Sequence, residues 1–269
     1  MSKHRNFIET PIFNILQECV LACNGLDDGI ETQPLHEYIM QSVFLKMTGA
    51  SEQKLKCICW EMATEDYEYR YNFLKGTHGE CSSYTDKNDI YNEIIENIKK
   101  YEPSFNASSL ISDKAKFLND LKDEIKNLIE KSIISKWLER EFNFFKEETI
   151  SIELDKNNKF ESFSGGFFAT NYNQNTNNQK KEKIDFLISN KLFEKSLEID
   201  FTKYVYNHRN RCAHNLISYQ ENLPTLSTLA DENYKYQNYF YRFYILILLD
   251  KIFMKLYAKY LDAIENYHI

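Results

Sequence analysis

Tyr206-Asn207-His208-Arg209-Asn210-Arg211-Cys212-Ala213-His214-Asn215 is the stretch on which the reading of the chain turns. It lies inside a run from Glu198 to about Ser218 that holds neither Pro nor Gly and repeats apolar residues at helical spacing, so an α-helix is expected there. At about 100° per residue, Lys203, Asn207, Asn210, His214 and Ser218 share one polar stripe. Val205, Tyr206, Cys212, Ala213 and Leu216 make the opposite, apolar face, and Arg209 falls in its middle, about 140° from His214. A guanidinium is always charged and costly to desolvate without a partner. Either the helix is broken near Arg209, or the apolar face meets a second copy of the chain with Arg209 at the seam. The second is the expectation, because a two-fold contact brings the same patch to itself and sets Arg209 and His214 of two chains into one cleft. A plainer alternative leaves Asn210 and His214 as solvated polar-face residues and pairs Arg209 with a buried carboxylate.

Outward from this stretch the chain reads as helical framework. Beyond a loop at 221–232 that holds Pro224, residues 233–267 form one helix, apolar nearly all round between Tyr239 and Tyr257. Such a helix is buried on both sides. Tyr234, Tyr236, Tyr239 and Tyr241 pack in the core on this reading, with stacking on nucleic-acid bases as the sharper alternative. Upstream, Ile184–Phe193 reads as a short helix, and residues 171–181 are rich in Asn and Gln with no apolar anchor, a loop or a lid. A small β-hairpin is expected around 149–170, where Thr149–Leu154 alternates in polarity. Ser112 opens one long amphipathic helix to about Lys146.

Toward the N-terminus, Phe7–Cys23 and Pro34–Met47 read as helices, and Ser51 caps another that runs to Leu74. Asp86–Tyr101 follows, ended by Pro103. The segment 104–109 is the best internal boundary, dividing an N-terminal helical region, 1–105, from a helical bundle, 106–269. Glu61, Glu65 and Glu68 share a face, which is where the partner of a buried Arg is sought. Cys57, Cys59, His78 and Cys81 have the residue types of a zinc site, but Cys57 and Cys59 point about 200° apart on one helix, so no metal is expected. Cys19 and Cys23 read as core thiols.

Composition agrees with a mainly all-α chain. Of 269 residues only seven are Gly and four Pro, while 19 Tyr and 19 Phe supply bulk for a core. The net charge of −7 argues against a broad nucleic-acid-coating surface and leaves room for a local basic cleft. The six Cys follow no disulfide framework, no secretory leader is read at the start, and no apolar run reaches the 18 or so residues of a membrane span. A soluble, cytoplasmic protein with reduced thiols is the expectation.

Arg209-Asn210-x-x-x-His214, an Arg followed by a polar residue and then a His, resembles the active-site motif of the HEPN superfamily. These are all-helical domains of bacterial toxins, abortive-infection proteins and CRISPR-associated ribonucleases. The resemblance covers about residues 181–266, with Ala213 and Asn215 similar to common neighbours of the motif and a long apolar helix following it. It implies a helical bundle of HEPN type with extra N-terminal helices. It also implies a homodimer whose composite site, carried by Arg209, Asn210 and His214, cuts single-stranded RNA or tRNA loops. Lys203, Asn207, Arg211 and Asn215 would contact the RNA, and an antitoxin or sensor partner would control it. Members whose partner modifies a Tyr carry it two residues after the His; here that position is Leu216.

The side chains suit the chemistry. RNA brings its own nucleophile, the 2′-OH, so cleavage needs a proton carrier and a cation for the crowded phosphorane. An imidazole titrates near neutrality, and a guanidinium forks onto phosphate oxygens. Asn210, one turn before His214, can orient imidazole or phosphate. The product is then a 2′,3′-cyclic phosphate with a 5′-hydroxyl, and no cofactor is called for. Two other readings stand beside this one: a non-catalytic helical module that binds RNA or nucleotides or assembles with protein, and an inhibitor subunit of another effector.

Overall fold

A computed structural model describes residues 3–73, 75–76, 79–147, 153–154, 160–162, 186–188, 191–214 and 238–267. Helices α1 (Lys3–Glu9) and α2 (Phe13–Ala22) flank Pro11, which cannot continue a helix through its missing N–H. Helix α3 (Gln33–Glu65) is a single 33-residue rod. Two helices parted at Gly49-Ala50-Ser51 were expected, but Ser51 is buried inside the rod and caps nothing. One helical Gly costs only about 1 kcal/mol against Ala, and the apolar residues on either side of it, Met47, Leu55 and Ile58, are all buried. The rod ends at Asp66, short of the expected Leu74. Asp66 is extended, and its Oδ1 accepts the backbone N–H groups of Glu68 and Tyr69 at 2.8 and 3.0 Å, starting α4 (Tyr67–Phe73) afresh.

Helix α5 (Tyr84–Tyr101) opens on a reciprocal capping box between Ser83 and Asp86. The segment expected as a linker is a 3₁₀ turn, Ala107–Leu110, with Phe105, Ala107 and Ile111 buried around it. The long helix expected over 112–146 is three: α6 (Lys114–Glu130), α7 (Ile134–Trp137) and α8 (Glu139–Glu147). The Ser132 hydroxyl donates to Ile129 O at 2.7 Å and that of Ser135 to Ser132 O at 2.8 Å, local bonds that compete with the helical ladder. The expected hairpin is present as β1 (Glu153–Leu154) paired antiparallel with β2 (Phe160–Ser162). The Gly165-Gly166 pair and residues 171–181 lie outside the described residues.

Residues 186–193 depart from the expected helix. Strands β3 (Phe186–Ile188) and β4 (Lys191–Phe193) pair antiparallel, Phe186 opposite Phe193. Their free edges are satisfied by neighbours: Asn88 Oδ1 accepts from Leu192 N, the Tyr84 hydroxyl accepts from Phe193 N, and Lys114 Nζ donates to Phe186 O. Buried aromatic ends and these side-chain partners outweigh a weak helical preference. Then follow α9 (Lys195–Asp200), a π-helical turn (Phe201–Tyr206), α10 (Asn207–His214) and α11 (Tyr239–Tyr267).

Helix α11 is the centre. Every residue from Tyr239 to Leu249 is buried, as expected for a helix apolar all round. It packs against α3, α5, α6 and α8, so helices from both sides of residue 105 share one hydrophobic cluster, with Phe44 and Ile94 beside Ile125 and Phe145. An ion pair is buried in this core. Lys54 Nζ lies 2.5 Å from Asp250 Oδ1 and 2.7 Å from Thr10 O, while Asp250 Oδ2 accepts from Ile12 N at 2.9 Å. Among the described residues no helix is long and apolar enough to cross a membrane.

Candidate functional site

The helix that carries Arg209 is not uniform. Residues 201–206 form a π turn, whose i→i+5 bonding widens the helix and leaves a carbonyl without its α-helical donor. Arg242 of α11 supplies one: its Nε donates to Tyr204 O at 3.0 Å, and its guanidinium lies 5.1 Å from the Tyr239 ring centroid. Burial lowers the Arg242 pKa to about 10, still far above neutral. The wide turn resets the helical phase, so Lys203 does not keep the register with Asn210 and His214 that a uniform helix gives. Lys203 is half-buried with its Nζ 5.3 Å from the Tyr204 ring, and Asn207 is exposed at the start of α10.

Arg209 is where the sequence made it conspicuous, half-buried on the α3 side of α10. Its Nη2 lies 3.2 Å from Glu52 Oε2, and its Nη1 donates to Asn210 Oδ1 at 3.1 Å. The carboxylate therefore comes from α3, but more than two turns before the acidic face at Glu61, Glu65 and Glu68; Glu61 instead meets His4 at 3.4 Å. Of the two arrangements expected for Arg209, the irregular helix is present, with the π turn ending three residues earlier. The pair is not sealed: the side chains are 28% and 16% exposed.

A crevice of about 10 Å³, the space of one water, runs beside Arg209 between Thr48, Ser51, Glu52, Ser82 and Lys87. Lys87 is buried, donating to Cys81 O and to Ser82 O at 3.2 Å. Desolvation pulls its pKa down to about 8, against the pull of Glu52. Two cations and one carboxylate thus share a poorly hydrated corner. A phosphate cannot enter the crevice; it can reach the guanidinium only from the open side of α10.

No family model, curated protein or solved structure matches the chain. The site therefore rests on its residues alone. Arg209 and Asn210 are brought together by a direct hydrogen bond. The amide oxygen of Asn210 is engaged by the guanidinium, so the expected service to His214 falls to its remaining N–H₂ group. His214 closes α10; its side chain, and Asn215, lie outside the described residues. Arg211 turns inward, its Nη2 3.3 Å from His208 Nδ1 and its buried Nε without a partner among the described residues.

Besides Glu52, sequence reading missed three residues. His208 lies between the Phe44 and Tyr239 rings, 5.1 and 5.6 Å between centroids, with Cys212 Sγ at 3.4 Å from its Nε2. Burial first, then Arg242 and Arg211, push its pKa down to about 2, so it stays a neutral packing residue. Arg242 was hidden in the apolar run of α11. Asp200, at the start of the π turn, is buried with Oδ2 unpartnered among the described residues, and desolvation raises its pKa to about 7 despite Lys203. An i,i+3 acid and lysine on a helix signals a surface pair, so no local pattern could have found it. The Cys57, Cys59 and Cys81 thiols are buried, His78 lies outside the described residues, and no group of three or more His, Cys, Asp or Glu among the described residues could hold a metal ion. Tyr239 and Tyr241 are core residues; Tyr234 and Tyr236 lie outside the described residues.

Proposed function

We propose that the chain is a metal-independent endoribonuclease of HEPN type, cutting single-stranded RNA or tRNA loops as a toxin or phage-defence effector. The observation that carries it is the half-open Arg209 guanidinium, clamped by Glu52 and Asn210 at the end of a helix interrupted by a π turn. Such interruptions concentrate at functional sites. Two anchors fix the plane of the guanidinium while its remaining donors stay free for a phosphate oxygen, which is what electrostatic stabilisation of a phosphorane requires. His214, five residues on, would move the proton from the 2′-OH to the leaving 5′-oxygen. Because the crevice of one chain is too small for a phosphate, the reading includes a homodimer in which two copies of α10 frame the substrate. Asn207 and Lys203 would touch the RNA backbone outside the chemistry.

One observation favours a second reading. Glu52 already neutralises Arg209, which is enough to explain that residue as a pin between α10 and α3. On this reading the chain is a non-catalytic helical RNA-binding or assembly module. Incubating RNA with the chain in EDTA separates the two. An enzyme cuts, leaves 2′,3′-cyclic phosphate ends, and loses activity in Arg209→Ala and His214→Ala; a module cuts nothing.

A further inference from the structure

A cavity of about 640 Å³ opens between α3, α4 and α5, well inside the range of about 300–1,000 Å³ of small-molecule sites. Its floor is apolar: Ile90, Ala63 and the buried Cys59 and Cys81 thiols. Burial raises both thiol pKa values, Cys59 to about 12, so they line the floor as neutral, unreactive groups. At the rim stands Trp60, 65% exposed, with the His4 ring 6.1 Å away between centroids and nearly perpendicular to it. Most of the indole is still left in water beside the cavity, a flat surface on which a ring can stack.

The polar wall is one face of α5. Asp86, Asp89 and Glu93, at i, i+3 and i+7, all line the cavity. Asp86 is committed to the Ser83 cap and Glu93 Oε2 accepts the Tyr69 hydroxyl at 2.7 Å. Asp89 has no hydrogen bond or ion pair among the described residues. Two cations also line the space, and they differ. Lys56 is ion-paired with Glu80, whereas Arg70 has no side-chain partner among the described residues. The free capacity of the wall is therefore an acceptor at Asp89 and a donor fork at Arg70, on either side of an apolar slot. Three carboxylates against one uncommitted cation oppose a phosphate.

We propose that this cavity binds a nucleoside or free nucleobase, a flat heteroaromatic ligand with both donor and acceptor edges and no phosphate. The ring stacks on Trp60, its amino or imino hydrogens reach Asp89, and its carbonyl or ring nitrogen takes Arg70. The cavity adjoins the Arg209 site without being part of it: Lys56 lies one turn beyond Glu52 on α3, and Lys87 binds the carbonyl of Cys81. Binding here stands whether or not the chain cuts RNA.

Calorimetric titration of the full chain with adenosine, guanosine, cytidine and uridine tests it, with the 5′-monophosphate of the best binder and spermidine alongside. At least one nucleoside should bind with Kd of about 100 µM or tighter, and its monophosphate should bind several-fold more weakly. Asp89→Ala, a surface change that leaves the fold alone, should weaken binding at least about fivefold, equivalent to about 1 kcal/mol. Ala63→Phe should abolish it by filling the slot, with an unchanged circular dichroism melt showing the chain folded. Quenching of Trp fluorescence by the nucleoside should disappear in Trp60→Phe, since the second indole, Trp137, is stacked on His36 elsewhere. No heat with any nucleoside, tighter binding of the monophosphate, binding of spermidine alone, or undiminished affinity in Asp89→Ala would each overturn the proposal.

Discussion

Glu52 and Lys54 are two residues apart on α3 and point about 200° apart, each to an opposite charge on another helix. Lys54 meets Asp250 in the core, with the side chains 2% and 1% exposed and the remaining atoms bonded to Thr10 O and Ile12 N. Burial lowers the Lys54 pKa and raises that of Asp250, and their mutual attraction pulls both back. Glu52 meets Arg209 at a partly open edge, longer by 0.7 Å (3.2 against 2.5) and joined, among the described residues, by one further hydrogen bond, from Arg209 to Asn210. The first pair is closed and fully satisfied, so its role is to hold α3, α11 and the α1–α2 corner together. The second keeps donors in reserve, so it can meet something from outside. Burial and satisfaction, rather than the presence of an ion pair, separate structural charge from available charge.

Breaking the closed pair should have the largest effect. Lys54→Met leaves Asp250 as an unpaired buried carboxylate, and loss of about 3–5 kcal/mol is expected, read as a shift of the urea unfolding midpoint. If the cost is under about 1 kcal/mol, the two pairs are alike and the contrast fails.

Asp200 sharpens the comparison as a buried carboxyl whose Oδ2 has no hydrogen-bond partner among the described residues. Its pKa rises from an ordinary 3.8 to about 7 in the folded chain. Between these values the folded state holds a proton that the unfolded state has released, so the stability from this group falls as pH rises and is fully lost above about 7. Asp200→Asn should therefore be increasingly more stable than the wild type from pH 4 to pH 7.5, by roughly 2–4 kcal/mol at about 1.4 kcal/mol per pKa unit. Paired thermal melts across that range check it; a pH-independent difference means that Asp200 is ionised and partnered.

The open pair should respond weakly in stability and in a different observable. Glu52→Gln should cost about 1 kcal/mol or less, while removal of a carboxylate beside the approaching phosphate should lower the KM for RNA about two- to threefold. A raised KM would mean that the aim Glu52 gives the guanidinium outweighs the repulsion of its charge. Lys203→Ala should be smallest, reducing cleavage less than about fivefold, since a half-exposed phosphate contact is worth about 1 kcal/mol. A loss as deep as that of His214→Ala would place Lys203 in the chemistry.

Much of the fold was legible because periodicity reports burial. Helix α11 announced itself by being apolar all round, and α5 was read from Asp86, two residues after its start at Tyr84. What failed was local continuity. Gly49 and Ser51 look like a stop, yet tertiary packing on both sides carries α3 through them; Ser132 looks neutral, yet its hydroxyl breaks a helix. The 186–193 hairpin was hidden because its partners, Tyr84, Asn88 and Lys114, are some 70 to 110 residues away in sequence. At the site, Arg209 was visible as a charge on an apolar face. Glu52 was not, since a carboxylate on a helix suits solvent as well as a partner, and the π turn that resets the phase leaves no mark in composition. Arg242, which holds that turn, lies in a run otherwise apolar.

The central claim is that Arg209 is charge held ready for a phosphate. Wild type, Arg209→Ala and His214→Ala should be incubated with single-stranded RNA and tRNA in excess EDTA and the product ends determined. The account predicts cutting by the wild type, cyclic phosphate and 5′-hydroxyl ends, and a loss of about 100-fold or more in each variant with melts within about 1 kcal/mol of wild type. A wild type that cuts neither RNA, or cutting that survives both substitutions, would contradict it.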